Sequence, residues 1–408
     1  MKMKVLLVEN VHPAAIEAFQ TAGFEVVVKK DAPSEAELIS LVKDYQVLGI
    51  RSKTDLTEAI VKASGQMHAI GAFCIGTNQI DLAAANRHGL PVFNAPYSNT
   101  RSVAELVIAE IISLARRLGD INMAAHQNTW LKSAKGTFEV RGKTLGIIGY
   151  GHIGSQVSIL AEAMGMRVLY YDVVKKLPLG NAKHLDSIYQ LFSESDFVTL
   201  HVPETPLTQK MMGREQLQSM KKGSYLINAS RGSIVDVPAL AAALKSGHIG
   251  GAAIDVFPYE PAGNDEPFVS ELQGVGNVIL TPHIGGSTEE AQEAIGREVS
   301  HTLIQFLLEG ATRGAVNFPN VDVPPPVAPV RLINVHRNVP GVLGEINGIV
   351  SEAKGNIRAQ YLSTDQQIGY LVMDIENAKA ELLSKQVSAL KTSIKTRVIN
   401  RVGSSKKE

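Results

Sequence analysis

Cysteine is nearly absent: the 408-residue chain has one, Cys74. That excludes an intrachain disulfide framework and a thiolate cluster for a metal. No metal site is expected, and a reducing, cytoplasmic setting fits. Net charge is absent too, with 40 Lys+Arg against 40 Asp+Glu. No global field draws the chain to nucleic acid or to an anionic membrane, so neither is expected as a partner. Long apolar runs are missing. The most apolar helical stretch, Val103 to Leu114, carries Glu105 and Glu110, and nothing reaches the roughly 18 uncharged residues of a membrane span. The opening Met1-Lys-Met-Lys-Val-Leu-Leu-Val8 is broken by Glu9 and reads as a first strand rather than a signal peptide. What remains is an ordinary globular composition, 45% hydrophobic and 20% charged, long enough for two or three domains.

The most informative segment is Gly149-Tyr-Gly-His-Ile-Gly154. It follows an apolar run, Thr144–Ile148, that reads as a buried strand. A helical pattern runs from Ser155 to Met164, and a second strand, Arg167–Tyr171, ends on Asp172. Each part has a job in holding a dinucleotide. Gly149 permits a tight turn, Gly151 lets backbone approach a pyrophosphate, and Gly154 lets helix and strand pack closely. The helix start offers N–H groups and a positive dipole end to phosphates. Asp172, 23 residues after Gly149, is placed to accept from ribose hydroxyls and to repel a 2′-phosphate, which favours NAD over NADP. The triplet alone fits an ordinary turn equally well; its flanks make the case.

About 140 residues precede this motif, with their own strand–helix alternation. Strands are expected at Val5–Val8, Glu25–Val28, Val47–Ile50, Ala69–Ala72 and Pro91–Asn94, with helices at Pro13–Ala22, Ser34–Lys43, Thr57–Ala63 and Asp81–His88. The pattern implies a parallel sheet with crossover helices. Thr100 to Leu118 reads as one long helix joining two domains. Further strands are expected at Phe197–His201, Tyr225–Asn228, Gly251–Asp255 and Val278–Thr281. A helix from Ser287 to Glu309 follows, with Ser287 as N-cap and Glu290 completing a capping box. Phe318 to Pro329 holds five prolines and reads as a stiff linker. Beyond it, strand Arg331–His336, helix Gly341–Ala353, strands Asn356–Ser363 and Gly369–Ile375, helix Lys379–Leu390 and strand Thr396–Arg401 form a βαββαβ, ferredoxin-like pattern. The tail Gly403–Glu408 reads as frayed.

Three residues past strand ends carry chemistry. Arg231 lies in Asn228-Ala-Ser-Arg-Gly-Ser233, Glu260 in Asp255-Val-Phe-Pro-Tyr-Glu-Pro261, and His283 in Thr281-Pro-His-Ile-Gly-Gly286. Ligands of open α/β sheets bind at the carboxyl ends of strands. Oxidising a secondary alcohol with NAD needs hydride transfer from carbon and proton removal from oxygen. A histidine suits the proton step. A carboxylate on its other ring nitrogen fixes the tautomer, and an arginine can grip a substrate carboxylate at two points. Singly, each has a bland reading as a loop histidine, a surface ion pair or a turn. Jointly, beside glycine or proline at strand ends, they do not.

The segments Gly149–Gly154, Asp172, Asn228–Gly232, Asp255–Pro261 and Thr281–Gly286 resemble the signature set of the D-isomer-specific 2-hydroxyacid dehydrogenases. Phe73–Asp81, Asn94–Glu105 and Ala315–Pro319 are similar to segments of the branch with a C-terminal regulatory module. The resemblance runs from Val5 to about Arg401. It implies an α/β protein with two doubly wound parallel-sheet domains. These are a discontinuous, flavodoxin-like substrate domain (1–98 and 287–317) and a Rossmann NAD domain (99–286). A linker (318–329) and a ferredoxin-like ACT domain (330–402) follow. Hinges are implied near Asn94–Arg101 and Pro282–Ser287. His283 is implied as proton donor and acceptor, Glu260 as its partner and Arg231 as carboxylate binder. Gly149, Gly151, His152, Ile153, Gly154, Asp172, Ala229, Ser230, Arg231, Asp255, His283, Gly285 and Gly286 fall at cofactor positions. Arg51, Ser52, Asn99 and Gln292 fall at substrate positions. Gly49-Ile-Arg-Ser-Lys53 also ends a strand with clustered positive charge, useful for a phosphate. The family pattern has arginine where Lys53 stands, so its role stays open.

The implied reaction is NAD-dependent oxidation of 3-phospho-D-glycerate to 3-phosphooxypyruvate, the entry to serine synthesis, with 2-oxoglutarate reduction as a side activity. The module's His336-Arg-Asn-Val-Pro-Gly-Val-Leu343 resembles the ligand loop of an ACT domain. Through it His336, Asn338 and Asn356 are implied as feedback contacts for L-serine across paired subunits of a homo-oligomer, a tetramer. Rival readings are a relative acting on glyoxylate, hydroxypyruvate or 2-oxoglutarate, a non-catalytic dinucleotide sensor that binds protein partners, and a module used only for assembly.

Overall fold

The computed structural model describes residues 2–261 and 266–400. The expected strand end at Arg401, the module end at 402 and the tail Gly403–Glu408 lie outside the described residues. The chain divides into two compact units, Met1–Pro96 with Glu293–Glu408, and Tyr97–Gln292. The divisions lie two residues before and six after the expected 98/99 and 286/287, and the C-terminal module counts with the first unit.

In the first unit, β1 (Lys4–Leu7), β2 (Glu25–Val28), β3 (Val47–Ile50), β4 (Ala69–Ala72) and β5 (Val92–Phe93) form a parallel sheet in the order β2-β1-β3-β4-β5. This is the flavodoxin-like order. All residues of β3 and β4 are buried, as a sheet covered by helices on both faces requires. Helices Pro13–Thr21, Glu35–Leu41, Glu58–Ala63 and Leu82–Arg87 make the crossovers. The Ser34 and Asp81 side chains cap two of them.

In the second unit, β6 (Thr144–Ile148), β7 (Arg167–Tyr171), β8 (Lys183–His184), β9 (Phe197–Leu200), β10 (Ser224–Asn228), β11 (Ile249–Ile254) and β12 (Val278–Leu280) form a parallel sheet. The order is β12-β11-β10-β9-β6-β7-β8. It winds both ways from β6, so the crevice at the β6–β9 switch is where this topology binds nucleotides. Helices Ile188–Glu194, Arg214–Ser219 and Val237–Lys245, for which no pattern had been read, supply crossovers.

The C-terminal module is an antiparallel sheet of β13 (Val330–Arg337), β14 (Asn356–Thr364), β15 (Ile368–Glu376) and β16 (Ser393–Asn400), ordered β14-β15-β13-β16. Helices Val342–Glu352 and Ala380–Ser388 complete the βαββαβ pattern. The module caps the end of helix Glu289–Glu309. Arg397 donates to the carbonyls of Phe306 and Leu307, Arg331 to Glu309 (2.8 Å) and the Tyr370 hydroxyl to Gly310 (2.7 Å). The Leu307 and Glu309 carbonyls are among those a helix end leaves without an intrahelical partner.

Three local expectations change. The helix from Thr100 stops at Arg116, because Arg117 turns left-handed (φ 52°), and a new helix spans Leu118–His126. Asp120 fixes that break, accepting from the Arg117 guanidinium at 2.8 Å and from the Asn277 N–H at 3.1 Å. The cap of helix Glu289–Glu309 is Thr288, whose hydroxyl accepts from the Ala291 N–H at 3.2 Å, so Ser287 lies one residue outside and Glu290 closes no capping box. The proline-rich segment is packed rather than free: Phe318, Val321, Val323 and Ala328 are buried, and the Val321 N–H bonds the Thr312 hydroxyl.

Candidate active site

His283 is held in a strained loop. Its φ is 54°, a left-handed conformation that costs a non-glycine residue about 1 kcal/mol or more. Asp255, at the end of β11 and 1% exposed, maintains it. One carboxylate oxygen accepts from the Thr281 hydroxyl (2.6 Å) and the Ile284 N–H (2.8 Å), and the other from the Gly285 N–H (2.9 Å). The His283 N–H bonds the Asp255 carbonyl at 2.8 Å. A side chain on Gly285 would press on this carboxylate.

His283 Nδ1 lies 2.8 Å from Glu260 Oε2. Glu260 Oε1 accepts from the Phe257 N–H at 3.0 Å. A carboxylate accepts only, so Nδ1 carries the proton and Nε2 is left for a reacting group. The Glu260 hydrogen bond raises the His283 pKa above its usual value, with burial and Arg231 opposing. Burial alone would raise the Glu260 carboxyl, but the bonds from His283 and Phe257 and the charges of His283 and Arg231 hold it low. The Arg231 guanidinium therefore acts on both members of the pair. It is braced by the Ser230 carbonyl at 2.6 Å. Asn228, fully buried, folds this turn: its amide donates to the Arg231 carbonyl (3.0 Å) and accepts from the Ser230 N–H (3.1 Å) and hydroxyl (2.8 Å).

Gly232 was not singled out from sequence, yet it joins these loops. A Cβ there would lie 2.0 Å from the Phe257 carbonyl, so only glycine lets the Arg231 turn sit against the backbone leading to Glu260.

At the β6 turn, Gly149 has φ 91° and a Cβ on it would strike the His201 carbonyl at 2.3 Å. A Cβ on Gly154 would strike the Gly149 carbonyl at 2.2 Å, whereas one on Gly151 would meet nothing within 4 Å. The helix begins at His152 rather than Ser155, so the N–H groups of His152, Ile153 and Gly154 lie in its first turn. Asp172 accepts from the Tyr150 N–H (2.8 Å) and the Val174 N–H (2.9 Å), tying the acid to the turn. Ala229 and Ile153 pack on the core of this unit. The Asn99 side chain presses against Gly286, and its amide oxygen is enclosed without a protein partner. Gln292 donates to the Gly286 carbonyl at 3.1 Å.

Comparison with known proteins now bears on these residues. Residues 108–285 match the model of the D-isomer specific 2-hydroxyacid dehydrogenase NAD binding domain, and residues 332–395 that of the AHAS small subunit-like ACT domain. The chain is 53% identical over 398 residues to D-3-phosphoglycerate dehydrogenase of Dictyostelium discoideum, covering 98% of this chain and 97% of that one. It is 53% identical over 391 residues to the same-named protein of Escherichia coli K12, covering 96% and 95%. The chain belongs to the D-isomer-specific 2-hydroxyacid dehydrogenase family. Among solved structures, D-lactate dehydrogenase of Aquifex aeolicus, complexed with NAD and lactic acid, matches with a TM-score of 0.68 and 29% identity, over 77% of this chain and 99% of that one.

As a member of this family the chain is an NAD-dependent dehydrogenase. The turn fits that cofactor: open space over Gly151, first-turn N–H groups and the Asp172 carboxylate are the features a dinucleotide requires. Bound NAD supplies the hydride acceptor.

The remaining candidates lie in the first unit. Arg51 is half-buried, and Ser52 and Lys53 are exposed, in the loop after β3. In the C-terminal module His336 is buried beside Gly369, with Nδ1 3.0 Å from Asn334 Oδ1, and burial lowers its pKa. Asn338 donates to the Asp365 carbonyl at 2.7 Å, and Asn356 to Glu376 at 3.4 Å. His336 pairs with Gly369 at one end of β15, and Asn356 with Glu376 at the other. One copy of the module therefore keeps His336 and Asn338 about 20 Å from Asn356, at some 3.3 Å per strand residue. Among the described residues no cluster could hold a metal ion, and no helix is long and apolar enough to cross a membrane.

Proposed function

We propose that this dehydrogenase oxidises 3-phospho-D-glycerate to 3-phosphooxypyruvate with NAD. The observation that carries the reading is the His283–Glu260 pair at 2.8 Å with the Arg231 charge acting on both. Neutral His283 takes the hydroxyl proton at Nε2 while hydride is lost from the carbon that bears this hydroxyl, leaving a C=O bond. Glu260 stabilises the imidazolium that forms. Arg231 grips the carboxylate and polarises the neighbouring oxygen. Arg51, with Ser52, answers the phosphate, and Asn99 and Gln292 border the substrate. The names of the two relatives support the substrate; 2-oxoglutarate serves as a secondary one in the reverse direction.

The same proposal assigns L-serine to His336, Asn338 and Asn356. Because one copy separates them, the ligand takes His336 and Asn338 from one module and Asn356 from a second, in a homotetramer of the cytoplasm. Serine binding then acts as a coupling free energy on the distant chemistry.

Loss of NADH absorbance with 3-phosphooxypyruvate is the test. Turnover inhibited by serine is expected. No turnover sinks the reaction, turnover blind to serine sinks only the regulation, and a monomer on size-exclusion chromatography sinks the shared site.

A further inference from the structure

We infer that Glu9 is a positioning residue for the loop that receives the substrate's phosphate. The inference rests on the proposed reaction. Glu9 follows β1, and its side chain crosses to the loop after the neighbouring strand β3. Oε1 accepts from the N–H groups of Arg51 (3.0 Å) and Thr54 (2.9 Å), and Oε2 from Lys53 (2.9 Å). The residue is 7% exposed. It sits at φ 61°, next to Asn10 at φ 52°, so two successive left-handed residues turn its side chain inward. Gln79 holds the same loop from the other side, donating to the Arg51 carbonyl at 2.7 Å.

Backbone N–H groups converging on one point make an anion nest. Here the anion is part of the chain. The three amides are consumed by Glu9, so they do not reach a ligand phosphate. They fix the loop's path instead, leaving Ser52 and Lys53 exposed and Arg51 half-exposed. The phosphate is thus read by side chains on a backbone that Glu9 has shaped. This also gives Lys53 a part: its amide is a fixed point of the loop.

Glu9→Gln keeps the volume but replaces one accepting oxygen with a donor that faces backbone N–H. Wild type and E9Q are compared with NADH on 3-phosphooxypyruvate and on hydroxypyruvate, which lacks the phosphate, with inorganic phosphate as a competing anion. For E9Q the KM for the phosphorylated substrate and the Ki of phosphate should rise tenfold or more. Its kcat, and the KM for hydroxypyruvate, should stay within about twofold. Glu9→Asp, which keeps the charge, should fall in between and serves if E9Q does not fold. Equal KM changes on both substrates, or a fall in kcat alone, would overturn the inference while leaving the reaction standing. A wild type inactive on 3-phosphooxypyruvate would overturn the reaction, and the inference with it.

Discussion

Glu9 and Asp255 make an instructive pair. Each follows the carboxyl end of a parallel strand, β1 or β11, and each holds the loop after the adjacent strand, β3 or β12. Each is buried and accepts three hydrogen bonds from that loop. The difference lies in reach and in load. The longer Glu9 takes only backbone N–H groups and places its own backbone at positive φ. The shorter Asp255 takes two N–H groups and a hydroxyl, and the positive φ falls on His283, the residue being positioned. An internal acid can therefore either bear the strain itself or impose it on the residue it presents. The second arrangement suits a group that must meet a reacting atom closely.

Mutants can break or sharpen this comparison. His283→Gln should have the largest effect, lowering kcat by about 10²–10⁴-fold, the usual worth of general acid–base catalysis, with NADH affinity by fluorescence nearly unchanged. Lost NADH affinity would make His283 a binding residue. Asp255→Asn should cost about 10²-fold in kcat, the scale of a misplaced catalytic group. If Asp255 were a passive core residue, its thermal midpoint would fall with kcat intact.

Glu260→Gln separates orientation from charge. His283 is raised chiefly by Glu260. In the proposed reaction, keto-acid reduction needs protonated His283 and is lost as pH rises through that pKa, so E260Q should move this limb to lower pH. An unmoved limb would mean that another group titrates.

The smallest effect on activity is expected from Glu110→Gln. Glu110 is buried, without hydrogen-bond partners, and burial, then the Asp255 charge, pushes its carboxyl from the usual 4.5 to about 8. A raised folded-state pKa stabilises below 4.5, and that stability is lost as pH rises towards 8. The loss is several kcal/mol at full ionisation, at about 1.4 kcal/mol per unit. The wild-type thermal midpoint should therefore drop as pH rises from 4.5 towards about 8, and E110Q should flatten that drop. Parallel curves would show Glu110 ionised in the fold already.

Much of this was legible because local patterns and global fold agree. β-branched runs such as Val26-Val27-Val28 announce strands, and the glycine turn between β6 and its helix announces a dinucleotide. Arg231, Glu260 and His283 stand beside glycine or proline at strand ends, where ligand-facing side chains are found. What stayed hidden acts across the sequence. Glu9 meets amides more than 40 residues away, and Gly232 meets Phe257; neither contact leaves a periodic trace. Ser287 and Thr288 are both good caps, and only the helix register chooses. Arg117 has no glycine to advertise its left-handed turn.

Gly232 has a consequence for redesign. Because its missing side chain lets two backbones touch, the turn that carries Arg231 packs directly on the segment that leads to Glu260. Under the proposed function, substrate preference and proton transfer are then not separable modules. A library that varies the loop around Arg231 while leaving Gly232 intact explores new acids, whereas one that replaces Gly232 dismantles the proton relay before any new substrate is tried.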